Sequence, residues 1–343
     1  MRVGIIGAGG IGRVHAEAVL AGTDVSLAGV YDVDRDKARS LAGALRTHAF
    51  ASPHELYEAS TGVVIASPNR THAGYALEAL EHGRSLLCEK PMAGSLAQAA
   101  EMRTRAAAAS AVCAVGFNYR YLKVVQEARR YVTDGTLGRV LHIDIAFKRQ
   151  SALTRKHFTW RDSEEERCTS GALGDLGVHL IDLLHFLFDH RIDLTRCRVG
   201  LQTKVPRKGG MEVRVDDHAF VSGLLENGPT FTLTASKASQ PEQTGFTLSL
   251  TGSRGDLVHD SQDGPVLHLR TGVDWEQIKL LGSGRLEDPP GEVPGWADSF
   301  LDQVNAWADA VNGSRTPAHM ADFGTGYRAQ RVLEELLRLG GRV

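Results

Sequence analysis

Cysteine is scarce in this chain. Cys88, Cys113, Cys168 and Cys197 are the only four in 343 residues. No two of them have CxxC spacing, so neither a zinc ribbon nor a redox dithiol is indicated. A disulfide-stapled secreted scaffold is excluded with them. The fourteen histidines are scattered, with no HExxH or comparable cluster, and no metal is expected. No apolar run reaches the roughly 20 residues of a membrane span. Charge of one sign is lacking too: a net charge of -2 gives no reason to expect nucleic acid or an anionic membrane as partner. Residues 1–30 have no basic start and no cleavage site of a signal peptide, so a reducing cytoplasm is expected. Repeats and low-complexity tracts are missing. What is present is an ordinary globular composition, 42% hydrophobic and 23% charged. A chain of 343 residues exceeds one typical core, which predicts two domains.

The most informative stretch is residues 1–32. Val3, Ile5 and Ile6 suit a buried parallel strand. The loop Gly7-Ala8-Gly9-Gly10-Ile11-Gly12 follows, and Ile11, Val14, His15, Ala18 and Val19 then recur near helical period. Residues 25–31 read as a second strand, with Asp32 at its end, 20 residues past Gly12. This is a GxGxxG loop between strand and helix. Gly7 permits the tight turn, Gly9 lets backbone approach a pyrophosphate, and Gly12 lets helix and strand pack closely. The helix N-terminus offers free N–H groups and partial positive charge to that pyrophosphate. Asp32 can accept from the adenosine ribose hydroxyls, and its carboxylate favours NAD over NADP by repelling a 2′-phosphate. Arg35, close by, softens that preference.

Strands and helices then alternate. Helices are predicted over 34–44, from Pro53 behind the capping box Ser52-Pro53-His54-Glu55, over 73–82, and over 95–110 with Ser95 as cap. Strands are predicted over 47–50, 63–66, 85–88 and 112–116. The pattern means right-handed βαβ units and a parallel sheet. Ligands bind beyond the carboxyl ends of such strands, where Asp32, Asn69, His72, Glu89, Lys90, Asn118 and Arg120 gather.

The second half differs. After a helix over 122–133 and a turn-rich linker over 134–138, longer alternating strands follow. They are expected over 140–148, 196–204, 217–226, 230–238, 246–252, 257–260, 266–270 and 275–280, with an Asn227-Gly228 hairpin turn. Leu141, Ile143, Ile145 and Phe147 should share one face. A helix over 175–188 interrupts the strands, 282–294 is a loop, and helices over 296–312 and 322–339 close the chain. The fold class is α/β: a Rossmann domain over 1–120 and an α+β domain over 121–343 with an open, mostly antiparallel sheet. The last helices can pack back on the first domain.

Oxidation of an alcohol by hydride transfer needs a base for the hydroxyl proton. Lys90, after a parallel strand and before Pro91, can hydrogen-bond a substrate oxygen; by position alone it fits a solvated surface lysine equally well. Asp175 and His179 are four apart and share a helix face, where they can grip a polyol and take its proton. For His179 taken alone, a buried structural histidine is the simpler account.

Five stretches, in this order, change that balance: Gly7-x-Gly9-x-x-Gly12, Ser67-Pro68-Asn69-x-x-His72, Cys88-Glu89-Lys90-Pro91, Gly116-Phe117-Asn118-x-Arg120 and Asp175-x-Gly177-x-His179. Together they resemble the glucose–fructose oxidoreductase / inositol dehydrogenase / MocA family. The resemblance implies a catalytic set of Lys90, Asp175 and His179, with His179 as acid/base. It implies a cofactor site of Gly7, Gly9, Gly10, Ile11, Gly12, Asp32, Ser67, Pro68, Asn69, His72, Glu89, Lys90 and Asn118. Substrate contacts would be Lys90, Asn118, Arg120, Trp160, Arg161, Asp175 and His179. NAD is the implied cofactor, with NADP as a weaker alternative. Implied partners are a sugar or cyclitol substrate and further copies of the chain, as a homodimer or homotetramer through the C-terminal sheet. The family's glycine run before Asp-x-Gly-x-His is Cys168-Thr169-Ser170-Gly171 here, so substrate contacts do not transfer there.

The leading expectation is an NAD-dependent dehydrogenase acting on a secondary hydroxyl of a sugar or cyclitol. A second reading is a keto-sugar reductase for a phosphorylated or nucleotide-linked sugar. Lys148, Arg149, Arg155 and Lys156 can meet such an anion, although a solvated charged loop accounts for them more simply. A third reading, a non-catalytic NAD-binding sensor, is opposed by the presence of Lys90, Asp175 and His179 together.

Overall fold

The computed structural model describes residues 1–163, 165, 169–226, 228–313 and 317–342. Cys168 and Asn227, each part of a motif read above, lie outside the described residues. The chain divides into two compact units: 1–121 with 283–287 and 297–330, and 122–282 with 288–296 and 331–343.

The first unit begins with β1 (Arg2–Ile6), α1 (Gly10–Ala21), β2 (Ser26–Tyr31), α2 (Arg35–Leu45) and α3 (Pro53–Ala59). It continues with β3 (Gly62–Ile65), α4 (His72–Glu81), β4 (Ser85–Cys88), α5 (Leu96–Ala108) and β5 (Cys113–Val115). All five strands are parallel, in the order β2-β1-β3-β4-β5. Every residue of β3 and β4 is buried, because helices cover both faces and leave no polar alternation. Polar caps start the helices. The Asp34 carboxylate accepts from the Asp36 and Lys37 N–H groups, and Ser95 Oγ accepts from the Gln98 N–H. Ser52 Oγ accepts from the Glu55 N–H, but Glu55 reaches back to the Ala51 N–H and not to Ser52.

The strand expected over 47–50 is absent. Ala49 makes a single bridge to Val30, the two ladder bonds being His48 O to the Val30 N–H and the Phe50 N–H to Val30 O. The segment pairs at one residue before the chain turns into the Ser52 cap, so five strands form the sheet and not six.

In the second unit, α6 (Lys123–Thr133), β6 (Val140–Lys148) and the short α7 (Ser151–Thr154) lead to a π-helical turn, Leu173–Gly177, which runs into α8 (Val178–Phe188). The strands that follow are β7 (Arg198–Gln202), β8 (Arg207–Lys208), β9 (Met211–Glu212), β10 (His218–Leu224), β11 (Thr230–Ser236), β12 (Gly245–Gly252), β13 (Asp256–Asp260), β14 (Val266–Arg270) and β15 (Glu276–Lys279). Eight make one sheet, in the order β15-β14-β13-β12-β6-β11-β10-β7; β8 and β9 form a small separate hairpin, not expected from the sequence. Only β6 and β11 run parallel.

The register sets the core. Val221, Leu233, Ile145 and Leu248 lie side by side in one row, and Ala219, Ala235, Phe147 and Phe246 in the next. All eight are buried. The π-turn packs on this face: a Cβ added at Gly177 would lie 3.5 Å from Ala235 Cβ. Leu141 departs from the expected pattern and is 42% exposed. Gly252 pairs with Val140 and Thr251 with His142, so Leu141 falls at a bulge that turns it outward and Val140 inward. On the opposite face, Thr232, Thr234, Thr247 and Ser249 are half-buried and Phe220 is exposed.

Helices α9 (Trp296–Val311) and α10 (Phe323–Leu339) close the chain. Residues 297–330 belong to the first unit. Trp307 is fully buried and its indole N–H donates to Val112 O at 3.2 Å. The Val115 N–H donates to Ala321 O, and Ala114 bridges Asp322, which closes the β5 edge of the sheet. No helix among the described residues is long and apolar enough to cross a membrane.

Candidate functional site

One constellation lies in the first unit, at the carboxyl ends of β1, β2, β3 and β4. Gly7 leaves β1 with φ +104°, and its N–H donates to Tyr31 O at 2.8 Å. A Cβ at Gly7 would lie 2.6 Å from Ala66 O, and one at Gly12 only 1.8 Å from Gly7 O. Both glycines are therefore demanded by backbone contact. Gly9 and Gly10 are different: an added Cβ there would meet nothing within 4 Å. The open side of the loop is thus the side with room for a ligand. Gly9 is the N-cap of α1 and makes no side-chain cap bond, and no acidic residue stands in the first turn. The first-turn N–H groups are thus left without a side-chain cap, as at helix starts that receive anions, and Ile11 beside them is half-buried. Asp32 is fixed beside it. Its Oδ2 accepts from the Ala8 N–H at 2.7 Å and its Oδ1 from the Asp34 N–H at 2.9 Å, so each oxygen keeps further acceptor capacity.

Three of the expected cofactor residues support the loops from within. His72 is wholly buried, with Nδ1 3.0 Å from Pro91 O and Nε2 2.9 Å from Ser67 O. Burial pushes its pKa down. His72 thus ties the loop after β3 to the loop after β4 from within the fold. Glu89 is buried as well; Oε1 meets His15 Nε2 at 2.7 Å and Oε2 accepts from the Lys90 N–H at 3.2 Å. Burial alone would raise its pKa, but the His15 ring and Lys90 outweigh it and hold the carboxyl below its ordinary value. Asn69 is buried in the turn Asn69–Thr71 behind Ser67 and Pro68, and Ser67 Oγ lies 2.7 Å from Thr71 Oγ1. Lys90 is half-buried and joined to Pro91 by a cis peptide. Asn118 and Arg120 turn inward: Asn118 Nδ2 donates to Ser299 Oγ at 2.9 Å, and an Arg120 N–H donates to His319 O at 3.4 Å.

The other constellation lies in the second unit, around the π-turn. Asp175 is the middle residue of that turn, where a plain α-helix was expected, and π-turns inside helices are frequent at functional sites. Buried Asp216 caps its start, with Oδ2 accepting from the Ala172 and Leu173 N–H groups at 3.0 and 2.9 Å. Burial raises the Asp216 pKa. Asp175 Oδ2 forms an ion pair with Lys237 Nζ at 2.8 Å; the carboxylate side chain is 34% exposed and the lysine side chain 9%. Burial pushes the Lys237 ammonium pKa down, against the pull of Asp175. His179 is buried on the first turn of α8, its ring 6.3 Å from that of Phe147. Trp160 and Arg161 stack at 4.3 Å, with Arg161 exposed.

Of the four basic residues singled out for an anion, Arg149 pairs with Glu292, and Arg155 pairs with Asp162 at 2.6 Å. Burial and then the charges of Lys204, which was not among the four, and Lys148 push the His218 pKa down.

Sequence reasoning missed His15 and Lys237. His15 falls on the apolar period of α1 and reads as core, and its partner is 74 positions away. Lys237 follows an alternating strand, where a solvated lysine is the ordinary reading.

Comparison with known proteins gives a consistent result. The family model described as "Oxidoreductase family, NAD-binding Rossmann fold" matches residues 1–117, and the GFO/IDH/MocA C-terminal domain matches residues 125–258. Glucose-6-phosphate 3-dehydrogenase of Bacillus subtilis (strain 168) is 38% identical over 97% of this chain and 94% of its own. D-glucoside 3-dehydrogenase of Escherichia coli (strain K12) is 33% identical over 98% of this chain and 94% of its own. Among solved structures, an oxidoreductase domain protein from Kribbella flavida superposes with a TM-score of 0.87 at 26% identity, covering 99% of this chain and 96% of that one.

Proposed function

The chain belongs to the GFO/IDH/MocA family of oxidoreductases with an NAD-binding Rossmann fold, and from that premise we propose that it oxidises a secondary hydroxyl of a sugar. The observation that carries the reading is the pair of constellations: an open glycine loop beside a fixed Asp32 carboxylate, and an ion-paired Asp175 one turn before His179. Gly9, Gly10 and Asp32 would hold NAD, which when bound accepts hydride from the carbinol carbon. His179 takes the hydroxyl proton, since a neutral imidazole is a competent base near pH 7. Lys90 is a hydrogen-bond donor suited to a developing alkoxide. Asp175, held by Lys237, orients the substrate, with Trp160 and Arg161 beside it. Asn118, Arg120, His72 and Glu89 shape the surrounding loops. In this reading residues 1–120 carry the cofactor, and residues 121–343 carry the substrate and subunit contacts.

Two relatives named as 3-dehydrogenases, 38% and 33% identical, support C3 of a hexose as the oxidised carbon. A phosphorylated hexose is favoured by the name of the first of them. The test is a panel of glucose 6-phosphate, glucose, myo-inositol and levoglucosan with NAD and NADP, followed at the nicotinamide absorbance. Turnover best with glucose 6-phosphate and NAD is expected; no turnover with any of the four would overturn the reading.

The open sheet face, Ser/Thr-rich around Phe220, supports a homodimer or homotetramer through that sheet. Light scattering at micromolar concentration should show at least a dimer, and a monomer would contradict it. The free, buried Cys88, Cys113 and Cys197 support a reducing cytoplasm.

A further inference from the structure

Away from these constellations, on the outer surface of the first unit, two histidines and a glutamate converge. His54 and Glu58 lie on α3 at i and i+4, so both project from the same helix face. His82 is the C-cap residue of α4. One ligand atom from each of the three lies within 4.8 Å of the other two. The His54 and His82 rings stand 5.1 Å apart at 84°. We propose that His54, Glu58 and His82 form a binding site for a divalent transition-metal cation of the zinc class, clasping α3 to α4.

The chemistry of the donors selects the cation. Two imidazoles and one carboxylate suit Zn²⁺, and also Ni²⁺ or Cu²⁺, whereas Mg²⁺ and Ca²⁺ require oxygen-rich sets. His82 is already oriented by a hydrogen bond. Its Nδ1 lies 2.9 Å from Glu78 O, and a carbonyl only accepts, so Nδ1 is the donor there and Nε2 is the nitrogen left for a metal. This is how metal-binding imidazoles are usually oriented, by a hydrogen bond from the other ring nitrogen. The Tyr57 ring, fully buried, packs against His82 at 5.0 Å and holds it from below. His54 and Glu58 are exposed and half-free to adjust, so a small rotamer change brings the three donors to ligand spacing. Three protein ligands leave a fourth position for water. Nothing in the sequence announces the site, because His82 is distant along the chain from the α3 pair.

The experiment uses the full chain, freed of metal by chelation and dialysis, and titrated with zinc chloride by calorimetry. One equivalent should bind with micromolar affinity and raise the thermal unfolding midpoint by mass action. His54→Gln and His82→Gln should each weaken binding at least roughly tenfold, and excess Mg²⁺ should not compete. Because His54 is exposed, His54→Gln keeps the fold, and an unchanged midpoint without zinc verifies this. Undiminished zinc binding in His54→Gln, or no binding by the wild-type chain, would overturn the proposal.

Discussion

Asp32 is committed before any ligand arrives. One oxygen holds the Ala8 N–H and the other the Asp34 N–H, so the carboxylate stays at the end of β2 with lone pairs to spare. A free ribose 2′-hydroxyl can donate to it, and a 2′-phosphate is repelled. Asp32→Ala should narrow the preference for NAD over NADP by about tenfold, equivalent to about 1.4 kcal/mol, in kcat/KM with each cofactor. An unchanged ratio would remove Asp32 from cofactor choice. Glu89 gives a pH prediction. Its folded pKa lies below the ordinary 4.5, so between the two values the unfolded chain binds the extra proton. The contribution is present above about 4.5 and is lost as pH falls through the folded value. Glu89→Gln should cost about 1.5–3 kcal/mol at neutral pH by denaturant unfolding, the worth of a charged hydrogen bond. That gap should close on acidification. A gap that stays constant with pH would rule out an ionised Glu89 as the source of that stability.

At the scale of the element, the glycine loop separates two demands within four residues. Gly12→Ala drives a Cβ to 1.8 Å from Gly7 O, so α1 must lift from β1. It should lower stability by at least about 1–3 kcal/mol and abolish NAD binding. Gly10→Ala meets nothing within 4 Å of its Cβ and should unfold within about 1 kcal/mol of wild type while losing NAD affinity. Thermal unfolding with and without NAD separates the two, and equal destabilisation by both would contradict the geometry. This contrast shows what the sequence makes legible. The loop is read from local spacing, because a turn and a close approach need glycine at fixed offsets. The eight strands of the larger sheet are read from alternation and turn residues. Three features escaped because they depend on neighbours distant in sequence. The 47–50 segment bridges only at Ala49, Leu141 turns out at a bulge opposite Thr251 and Gly252, and Asp175 sits in a π-turn under the Asp216 cap. The place of His72, buried between Pro91 O and Ser67 O as a clasp of two loops, is likewise a matter of neighbours that its motif does not name.

For the whole molecule, the family assignment and the two constellations make one claim about chemistry. The first unit holds the glycine loop and Lys90, and the second holds the Asp175–Lys237 ion pair and His179. A chain that kept the fold only as a sensor would have no need of a base, or of an aspartate paired with a buried lysine. The most direct measurement is therefore single-turnover reduction of NAD by the best sugar of the panel, in wild type and in His179→Ala, with NAD affinity measured alongside. Loss of a general base typically costs on the order of 100- to 10,000-fold. His179→Ala should fall by at least about a hundredfold with NAD affinity unchanged. If it keeps more than about a tenth of the wild-type rate, well short of that range, His179 is not the base and the account of the second constellation fails.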